Sequence, residues 1–462
     1  MSSPVLAPRP RRSLAGPIVL IVIGVLFLLR NVGVHIPLFR LFAHWWPLLL
    51  IIWGVVKLVE HYQAKREGTV PARIGFGGAL LVFFIIAGGL AVTGLDRAKD
   101  QINWGEVRDE MNVDEDFINM FGSTYTYDDQ IEKDIPVADM LRIVSDRGNL
   151  TINAWDQSKI KIVVHKRVFG SNPQEAQNVN TGTVPQVEVN GTMVVVNANT
   201  QGAGNKGVST DMEIYVPRKL ALDIAGRRGD VNVSGRDGDL KIATSRGDVM
   251  VEDIGGSVNL NLRKGSLRAS RVKGNVTADG RFDDTLLVDI GGAAVLNGEF
   301  FGDLKLSKIA KGVTFHSSRT DLEFARLDGN LDLDQGDLRA TQILGPVRLL
   351  TRSKDIHLED VTGDVRIENS NGSVELHPND KQPLGNIEIN ANRGDVRLMM
   401  PAKAGFQMQA QTRHGEVQSD FSELKIDSQH GKSTVTGNVG KTGSKVQVTS
   451  DSGDIEIRKT AG

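Results

Sequence analysis

The adjacent carboxylates Asp283 and Asp284 are the pair in this sequence best suited to acid–base chemistry. Enzymes that cleave polysaccharides use paired carboxylates, or an acidic metal site beside a basic residue, on one face of the fold. Asp283-Asp284 also interrupts a nine-residue glycine spacing, and Trp155 is the sole tryptophan after Trp104. Sugar subsites usually contain aromatic platforms. We therefore interpret Asp283-Asp284 as a bulge and predict that the protein is not an enzyme, with a polysaccharide-active enzyme as the less favoured alternative.

The sequence contains no residue pattern that is typical of a metal site, a nucleotide site or a reactive thiol. The pairs Gly229-Asp230 and Gly247-Asp248 lack the Gly-Gly-x-Gly-x-Asp arrangement of calcium-binding nonapeptides. The chain has no phosphate-cradling glycine loop, no nucleophile elbow and no cysteine. The histidines that follow the middle of the chain share no metal-ligand spacing: His316, His357, His377, His414 and His430. We predict no catalytic, cofactor-binding or metal-binding residues and no cofactor.

Composition favours short strands beside a membrane segment. The chain has 462 residues, too many for one ordinary domain, so we expect a membrane part and a large soluble part. Fifty glycines and only 5 % aromatic residues are typical of many short strands and tight turns. The net charge of −2 argues against nucleic acid as a partner.

The first hundred residues are predicted to be a membrane anchor. Residues 1–13 form a cytoplasmic tail, and residues 14–95 form an anchor of about three helices, at 14–29, 45–59 and 74–95. The third apolar run reaches the 20 or so residues that a span needs, whereas the first two require flanking residues. No small-x-small cleavage site follows the first run, so we interpret it as retained rather than as a signal peptide. Trp45, Trp46 and Trp53 are typical of an interfacial aromatic belt.

Positive charges predict the orientation of this anchor. Arg9, Arg11 and Arg12 precede the first run, and three further cations, Lys65, Arg66 and Arg73, separate the second from the third. By the positive-inside rule both segments are cytoplasmic, although Arg30 and Arg40 in the intervening loop oppose this orientation. Three crossings of the bacterial cytoplasmic (inner) membrane then place the rest of the chain outside the cytoplasm. Residues 96–134 are interpreted as an acidic juxtamembrane linker.

Residues 135–462 are dominated by one repeat. Glycines at 229, 238, 247, 256, 265 and 274 are nine residues apart, and each precedes an apolar–polar–apolar triplet such as Val249-Met250-Val251. Alternation with period two predicts strands with one buried face, and strands this short close a core only by stacking. We predict an all-β domain, a parallel β-helix or closely related β-solenoid. The alternative is a sandwich of antiparallel strands, which the regular spacing and the apparent lack of hairpin loops disfavour.

The tripeptide Arg-Gly-Asp occurs three times, at 228–230, 246–248 and 393–395. Related sequences include Gln335-Gly336-Asp337 and Ser452-Gly453-Asp454. Their shared feature is a glycine followed by a short polar residue, so we interpret all of them as corners of the repeat rather than as cell-adhesion signals. Before the regular repeat, residues 143–164 and 187–216 are predicted to be wider or capping coils, joined by a polar loop at 169–182.

Two family resemblances follow from these residues. Residues 16–59, with Trp46-Pro47 opening the second apolar run, resemble the LiaF-like transmembrane region of bacterial envelope proteins. Residues 123–462, with Met212–Pro217 before the Gly-Asp-Val corners and Ser452–Ile457 at the close, resemble the bacterial putative-adhesin domain family of unknown function. This second resemblance implies a β-solenoid at the cell envelope on a membrane anchor, and it carries over no catalytic residues.

Two functions remain open at this point. The first is a membrane-anchored, non-catalytic binding, adhesion or scaffolding module that contacts glycan, peptidoglycan or another envelope protein. The second is a LiaF-like regulator that reports envelope stress to a membrane partner. The sequence does not specify the ligand or the oligomeric state. It also leaves open whether both short apolar runs fully span the membrane.

Overall fold

The computed structural model describes residues 123–460 except 136, 137, 171, 204–206 and 442, together with parts of the segments 46–62 and 82–90. The described residues of those two segments are helical. The predicted helix at 14–29 lies outside the described residues, and those at 45–59 and 74–95 lie only partly within them. Among the described residues, no helix has both the length and the apolar character needed to cross a membrane.

The remainder is an all-β, solenoid-like fold of two strand ladders, here called sheet 1 and sheet 2. Sheet 1 contains β1 (Ser123–Asp134), β3 (Leu150–Trp155), β4 (Lys159–Gly170), β7 (Val208–Pro217), β9 (Val231–Arg236), β11 (Val249–Ile254), β13 (Leu267–Val272), β15 (Thr285–Ile290), β17 (Leu304–Ile309), β20 (Arg326–Leu333), β21 (Asp337–Leu344), β24 (Val374–Pro378), β26 (Val396–Met400), β28 (Val417–Ser419) and β32 (Ile455–Lys459). Sheet 2 contains β2 (Met140–Arg147), β5 (Gln186–Asn190), β6 (Met193–Asn197), β8 (Ala221–Arg228), β10 (Leu240–Thr244), β12 (Val258–Leu262), β14 (Val276–Phe282), β16 (Ala294–Phe300), β18 (Val313–His316), β19 (Thr320–Phe324), β22 (Val347–Thr351), β25 (Leu384–Arg393), β27 (Phe406–His414), β29 (Lys425–Gln429), β30 (Lys432–Val439) and β31 (Ser444–Ser452). The long strand β23 (Asp355–Asn371) contributes to both sheets. Strand β1 falls within residues 96–134, the segment interpreted as a linker.

One regular coil comprises two strands and two corners. Val249 of β11 pairs in parallel with Leu267 of β13, and Leu240 of β10 pairs with Val258 of β12, so each coil is 18 residues long. The nine-residue sequence unit is therefore one strand plus one corner. Val249 and Val251 are buried while Met250 between them is exposed. The apolar members of each triplet point inward and form one continuous core along the solenoid.

The prediction that Asp283-Asp284 interrupts the repeat is wrong. Thr285 pairs with Leu267, 18 residues earlier, so both aspartates stay in step with the repeat. The rhythm changes one coil later, because Phe300 pairs with Phe282 at a spacing of 18, whereas Leu304 pairs with Thr285 at a spacing of 19. The extra residue is accommodated between 300 and 304, where Phe301 is exposed.

One coil runs in the opposite direction to the others. Strand β19 is antiparallel to both β18 and β22, and β20 is antiparallel to both β17 and β21. A hairpin at 317–319 starts this reversed coil and a hairpin at 334–336 ends it. Asp334 closes the second hairpin, because its Oδ1 accepts hydrogen bonds of 2.7 Å from the amides of Gly336 and Asp337. These two backbone hydrogen bonds hold the pKa of Asp334 below its ordinary value.

The expectation of a solenoid without hairpins is therefore wrong for this coil, and hairpins also join β5 to β6 and β29 to β30. Gln335-Gly336-Asp337 is a hairpin turn and not a repeat corner. The same triplet pattern appears in both directions because inward-facing residues alternate with period two whichever way a strand runs. The antiparallel sandwich is also not observed, since most ladders from β8 to β18 are parallel.

At each end of the repeat, one coil lies between two others that are not its neighbours in sequence. Near the beginning, β2 pairs with both β6 and β8, and β3 pairs with both β7 and β9. Near the end, β31 lies between β25 and β27, and β32 lies between β26 and β28. The coil of β31 and β32, here called the inserted coil, therefore separates two coils that precede it in the chain.

The polar segment at 169–182, predicted as a loop, contains the helix α1 (Pro173–Gly182). Asn172 caps its first turn, because its Oδ1 accepts a 2.8 Å hydrogen bond from the amide of Glu175. Ala176 and Val179 are the buried residues of the helix. Only two buried positions occur in ten residues, so the sequence shows little helical periodicity.

Candidate binding edge of the solenoid

The corner that leads from sheet 2 to sheet 1 contains a stacked column of glycines, and we call it the glycine edge. It comprises residues 227–230, 245–248, 263–266, 281–284, 352–355, 370–373, 392–395, 413–416 and 451–454. Gly229, Gly247 and Gly265 have φ angles of 129°, 129° and 148°. A Cβ on Gly247 would lie 2.2 Å from the carbonyl oxygen of Gly229 in the preceding coil. The column requires glycine both for its φ angle and for its close stacking.

The residue after each glycine links one coil to the next. The amide of Asp248 donates a 2.9 Å hydrogen bond to Oδ1 of Asp230, and the amide of Ser266 donates a 2.8 Å bond to Oδ1 of Asp248. The same contact joins Asp454 to Asp395 at 2.9 Å. The Gly-Asp part of each Arg-Gly-Asp tripeptide is thus engaged in coil stacking. This confirms the interpretation of the tripeptides at 228–230, 246–248 and 393–395 as corners.

We expect Gly247→Ala to reduce the free energy of unfolding by about 2–3 kcal/mol, because it introduces both a strained φ angle and a backbone clash. The matched control is Gly336→Ala in the hairpin. Its Cβ would meet only Asp334 Oδ1, at 3.8 Å, and its φ angle lies outside the left-handed region. Urea unfolding monitored by circular dichroism measures both variants. Equal losses of stability would contradict the assignment of Gly247 to the stacked column.

The residues before each glycine line a basic groove of about 600 Å³ on coils β8 to β15. Its cations come from two adjacent files of the glycine edge. The first file is Arg227, Ser245, Arg263 and Arg281, and the second is Arg228, Arg246 and Lys264. Asp283 and the exposed Phe301 lie at one end. We call this feature the basic groove.

Two further grooves, of about 720 and 610 Å³, lie along the same edge towards the C-terminal coils. They share Ser370, Asn390 and Asn392 and are lined mainly by hydroxyl and amide side chains. Their charges are mixed, since Arg413 pairs with Asp451 at 2.9 Å in the second of them. Such surfaces offer hydrogen bonds to a polar ligand along an extended line.

The two aspartates considered for acid–base chemistry have separate environments. Asp284 belongs to the coil ladder, because its Oδ1 accepts a 3.0 Å hydrogen bond from the amide of Asp303. Asp283 lies in the basic groove. The cations of that groove did not figure among the sequence candidates, because the net charge of −2 masks a local cluster. The sequence feature that could have revealed this cluster of cations is the recurrence of Arg227, Arg263 and Arg281 at multiples of 18 residues.

The serine-rich hairpin at 317–319 places hydroxyls beside a histidine–aspartate pair. His316 Nδ1 lies 2.5 Å from Asp321 Oδ1. The hydroxyl of Ser317 donates to the carbonyl of Thr320 at 3.1 Å, and that of Ser318 donates to Glu299 at 3.1 Å. These contacts direct both hydroxyls to partners other than His316.

Two of the histidines meet on the outer face of sheet 1. His377 Nε2 donates a 2.8 Å hydrogen bond to Glu375 Oε1, and His357 Nδ1 lies 3.2 Å from Glu375 Oε2. Their rings are 5.5 Å apart. Among the described residues, no group of three or more histidine and carboxylate side chains is arranged to hold a metal ion. The cluster is best described as a carboxylate held between two imidazoles.

This cluster makes stability depend on pH. Partial burial raises the pKa of Glu375, but the hydrogen bond from His377 and the charges of both imidazoles outweigh burial and lower it overall. A carboxyl group with a lowered pKa in the folded state stabilises above its unfolded-state pKa, near 4.3, and that contribution is lost as pH falls through the folded-state value. We therefore expect the wild type to be more stable than Glu375→Gln at about pH 5 and this difference to vanish in more acidic buffer. Urea midpoints from about pH 5 to about pH 3 test this, and a difference that grows over this range on acidification would refute it.

The fold and this edge define a class: β-solenoids with an extended, solvent-open polar edge. The profile of the Toastrack DUF4097 family matches residues 138–458, and the chain belongs to this family. The profile of the LiaF transmembrane domain matches residues 15–96. The Toastrack family is not known as an enzyme family. No curated protein sequence matches the chain. A solved structure described as a putative cell adhesion protein from Clostridium sporogenes is similar at 12 % identity and a TM-score of 0.18, covering 73 % of this chain and 100 % of that one.

Proposed function

We propose that this protein is a membrane-anchored, non-catalytic binding module of the bacterial envelope, with its solenoid outside the cytoplasm. The observation that carries the proposal is the series of three open, polar grooves along one edge of the solenoid. Open grooves on a stacked edge suit an extended ligand better than a small substrate that must be shielded from water. The LiaF transmembrane match at 15–96 supports attachment to the membrane.

The orientation part of the proposal rests on the positive-inside rule applied to the cations at 9–12 and 65–73. The chain has no cysteine, so Ser13→Cys and Ser452→Cys each introduce a unique thiol. Ser452 is exposed on the glycine edge. A membrane-impermeant maleimide should label Ser452→Cys in intact cells whose outer layer, if any, has been permeabilised. Ser13→Cys should react only after lysis, and the reverse pattern would overturn the proposal.

Binding itself is tested with the full-length protein in nanodiscs of zwitterionic lipid. We expect it to sediment with isolated cell-wall material that retains its attached polymers, and to release no sugar products from that material. Absence of sedimentation, or catalytic release of reducing ends, would overturn a non-catalytic binding role.

A second candidate function is regulation of envelope-stress signalling through a membrane partner. The observation that favours it is the LiaF transmembrane match alone. Co-purification of a membrane protein with the full-length protein, undiminished by substitutions in the glycine edge, would support this function over ligand binding by the solenoid.

A further inference from the structure

The basic groove concentrates cationic side chains at one place on the surface. Six cationic side chains and one carboxylate line it, although the whole chain has a net charge of −2. Arg228 and Arg246 occupy directly paired positions on adjacent coils. Like charges opposite each other on neighbouring strands are destabilising. An anion bound along the groove would relieve this repulsion.

On other ladders, several facing positions on adjacent coils carry charges of opposite sign. Arg397 pairs across coils with Glu456 at 3.1 Å, and Arg366 approaches Glu388 at 3.7 Å. On the glycine edge itself, Arg413 is neutralised by Asp451. By contrast, Arg246, Lys264 and Arg281 form no side-chain hydrogen bond or ion pair with the residues that the structure describes. Arg263 donates to the neutral hydroxyl of Ser245, at 3.0 Å.

The groove also has the geometry of a linear site. Successive coils of a parallel ladder are about 4.8 Å apart, so the two files present cations at regular intervals along the solenoid. A phosphodiester has two non-bridging oxygens, one for each file, and guanidinium groups bind such oxygens in a bidentate manner. The exposed side chain of Phe301, 57 % accessible, offers an apolar surface at the end of the cations.

From these features we propose that the basic groove binds a linear polymer of phosphodiester-linked polyol or sugar units. The phosphates lie along the arginine and lysine files, and a polyol unit packs its C–H groups on Phe301. This proposal rests on the proposed function and specifies the ligand of the same edge. A polymer fits better than a flat charged surface because the cations follow one corner rather than covering a face.

The test uses full-length protein in zwitterionic nanodiscs and purified poly(glycerol phosphate) as the probe, with affinity measured by calorimetry. The groove variant combines Arg246→Gln, Arg263→Gln, Lys264→Gln and Arg281→Gln. We expect it to bind at least about tenfold more weakly, and the wild-type affinity to fall as salt rises from 50 to 200 mM. The matched control removes four exposed cations outside the groove, Lys241, Arg268, Arg348 and Lys425, by the same substitution. It should retain affinity within about twofold.

Further probes separate the possible sources of anionic charge. Phe301→Ala should weaken binding of poly(glycerol phosphate) without changing binding of inorganic polyphosphate, which has no polyol. Equal binding of polyglutamate, or equal losses in the groove and control variants, would overturn the proposal. So would binding of the wild type to anionic vesicles but not to the polymer, since the edge would then recognise a membrane surface.

Failure of this inference is distinguishable from failure of the proposed function. Sedimentation with cell walls should be lost when their phosphate polymers are removed by mild acid extraction. Sedimentation that persists after extraction would overturn the phosphate-polymer ligand and leave the binding role intact. Absence of sedimentation before extraction would overturn the binding role itself.

Discussion

Val249→Asp is expected to unfold the soluble region under conditions in which the wild type is fully folded. Val249 is 1 % exposed, and its neighbours on both adjacent coils, Val231 and Leu267, are also buried. An aspartate there would place a carboxylate in an apolar core with no partner, at a cost of more than about 4 kcal/mol. This loss is comparable with the whole stability of a typical domain, about 5–15 kcal/mol.

The matched control is Met250→Asp, one residue further along the same strand. Met250 is 39 % exposed and faces away from the core, so we expect its free energy of unfolding to change by less than about 1 kcal/mol. Urea melts of both variants measure the difference. Similar losses would mean that the inward and outward faces of β11 have been assigned incorrectly.

Deleting residues 443–462 is the second change expected to have a large effect, because it removes the inserted coil. Its apolar residues Val446, Val448, Ile455 and Ile457 are 0–1 % exposed. Burial of each contributes about 1.5–3 kcal/mol, so on the order of 6–12 kcal/mol is lost as an upper estimate. Strands β27 and β28 lose their parallel partners at the same time. Strand β27 keeps its antiparallel partner β30. Hydrogen exchange should therefore show loss of protection in β28 and at the β27 amides that bond to β31, while β11 to β15 remain protected.

A peptide of residues 443–462 added in trans provides the control for this deletion. It should restore protection of β27 and β28, because it can occupy the vacant position between β25 and β27. The same peptide carrying Val446→Asp should fail to do so. Unchanged protection, without peptide, of the β27 amides that bond to β31 would show that β27 stacks directly on β25 and would contradict the inserted position.

The regular coils could be predicted from sequence because each rule acts locally. A triplet such as Val249-Met250-Val251 specifies which face is buried, and Gly247 specifies a corner that a Cβ would obstruct. Stacking then follows, since no single coil closes a core. The ladder formed by Asp230, Asp248 and Ser266 was visible only as a preference for short polar residues after glycine.

Strand direction and strand order could not be predicted in the same way. The reversed coil of β19 and β20 has the same alternation as its neighbours, and only the turn chemistry of Asp334 distinguishes it. The inserted coil depends on which edge a strand meets in space, and Ile455-Glu456-Ile457 would fit several positions. At the binding edge, the arginines were visible in sequence, but their alignment in two files required the 18-residue register.

The position of the inserted coil has a consequence for the order in which this chain acquires its structure. Most coils pair with residues 18 positions away, but Ile387 pairs with Val446 at a separation of 59. During synthesis, β27 and β28 emerge before the strands that attach them to the solenoid. A nascent chain must therefore keep a strand-wide gap open, or release β27 from a premature contact with β25. Long-range pairing of this kind is slow and leaves strand edges open to aggregation, so we expect completion of the C-terminal coils to limit the rate of maturation.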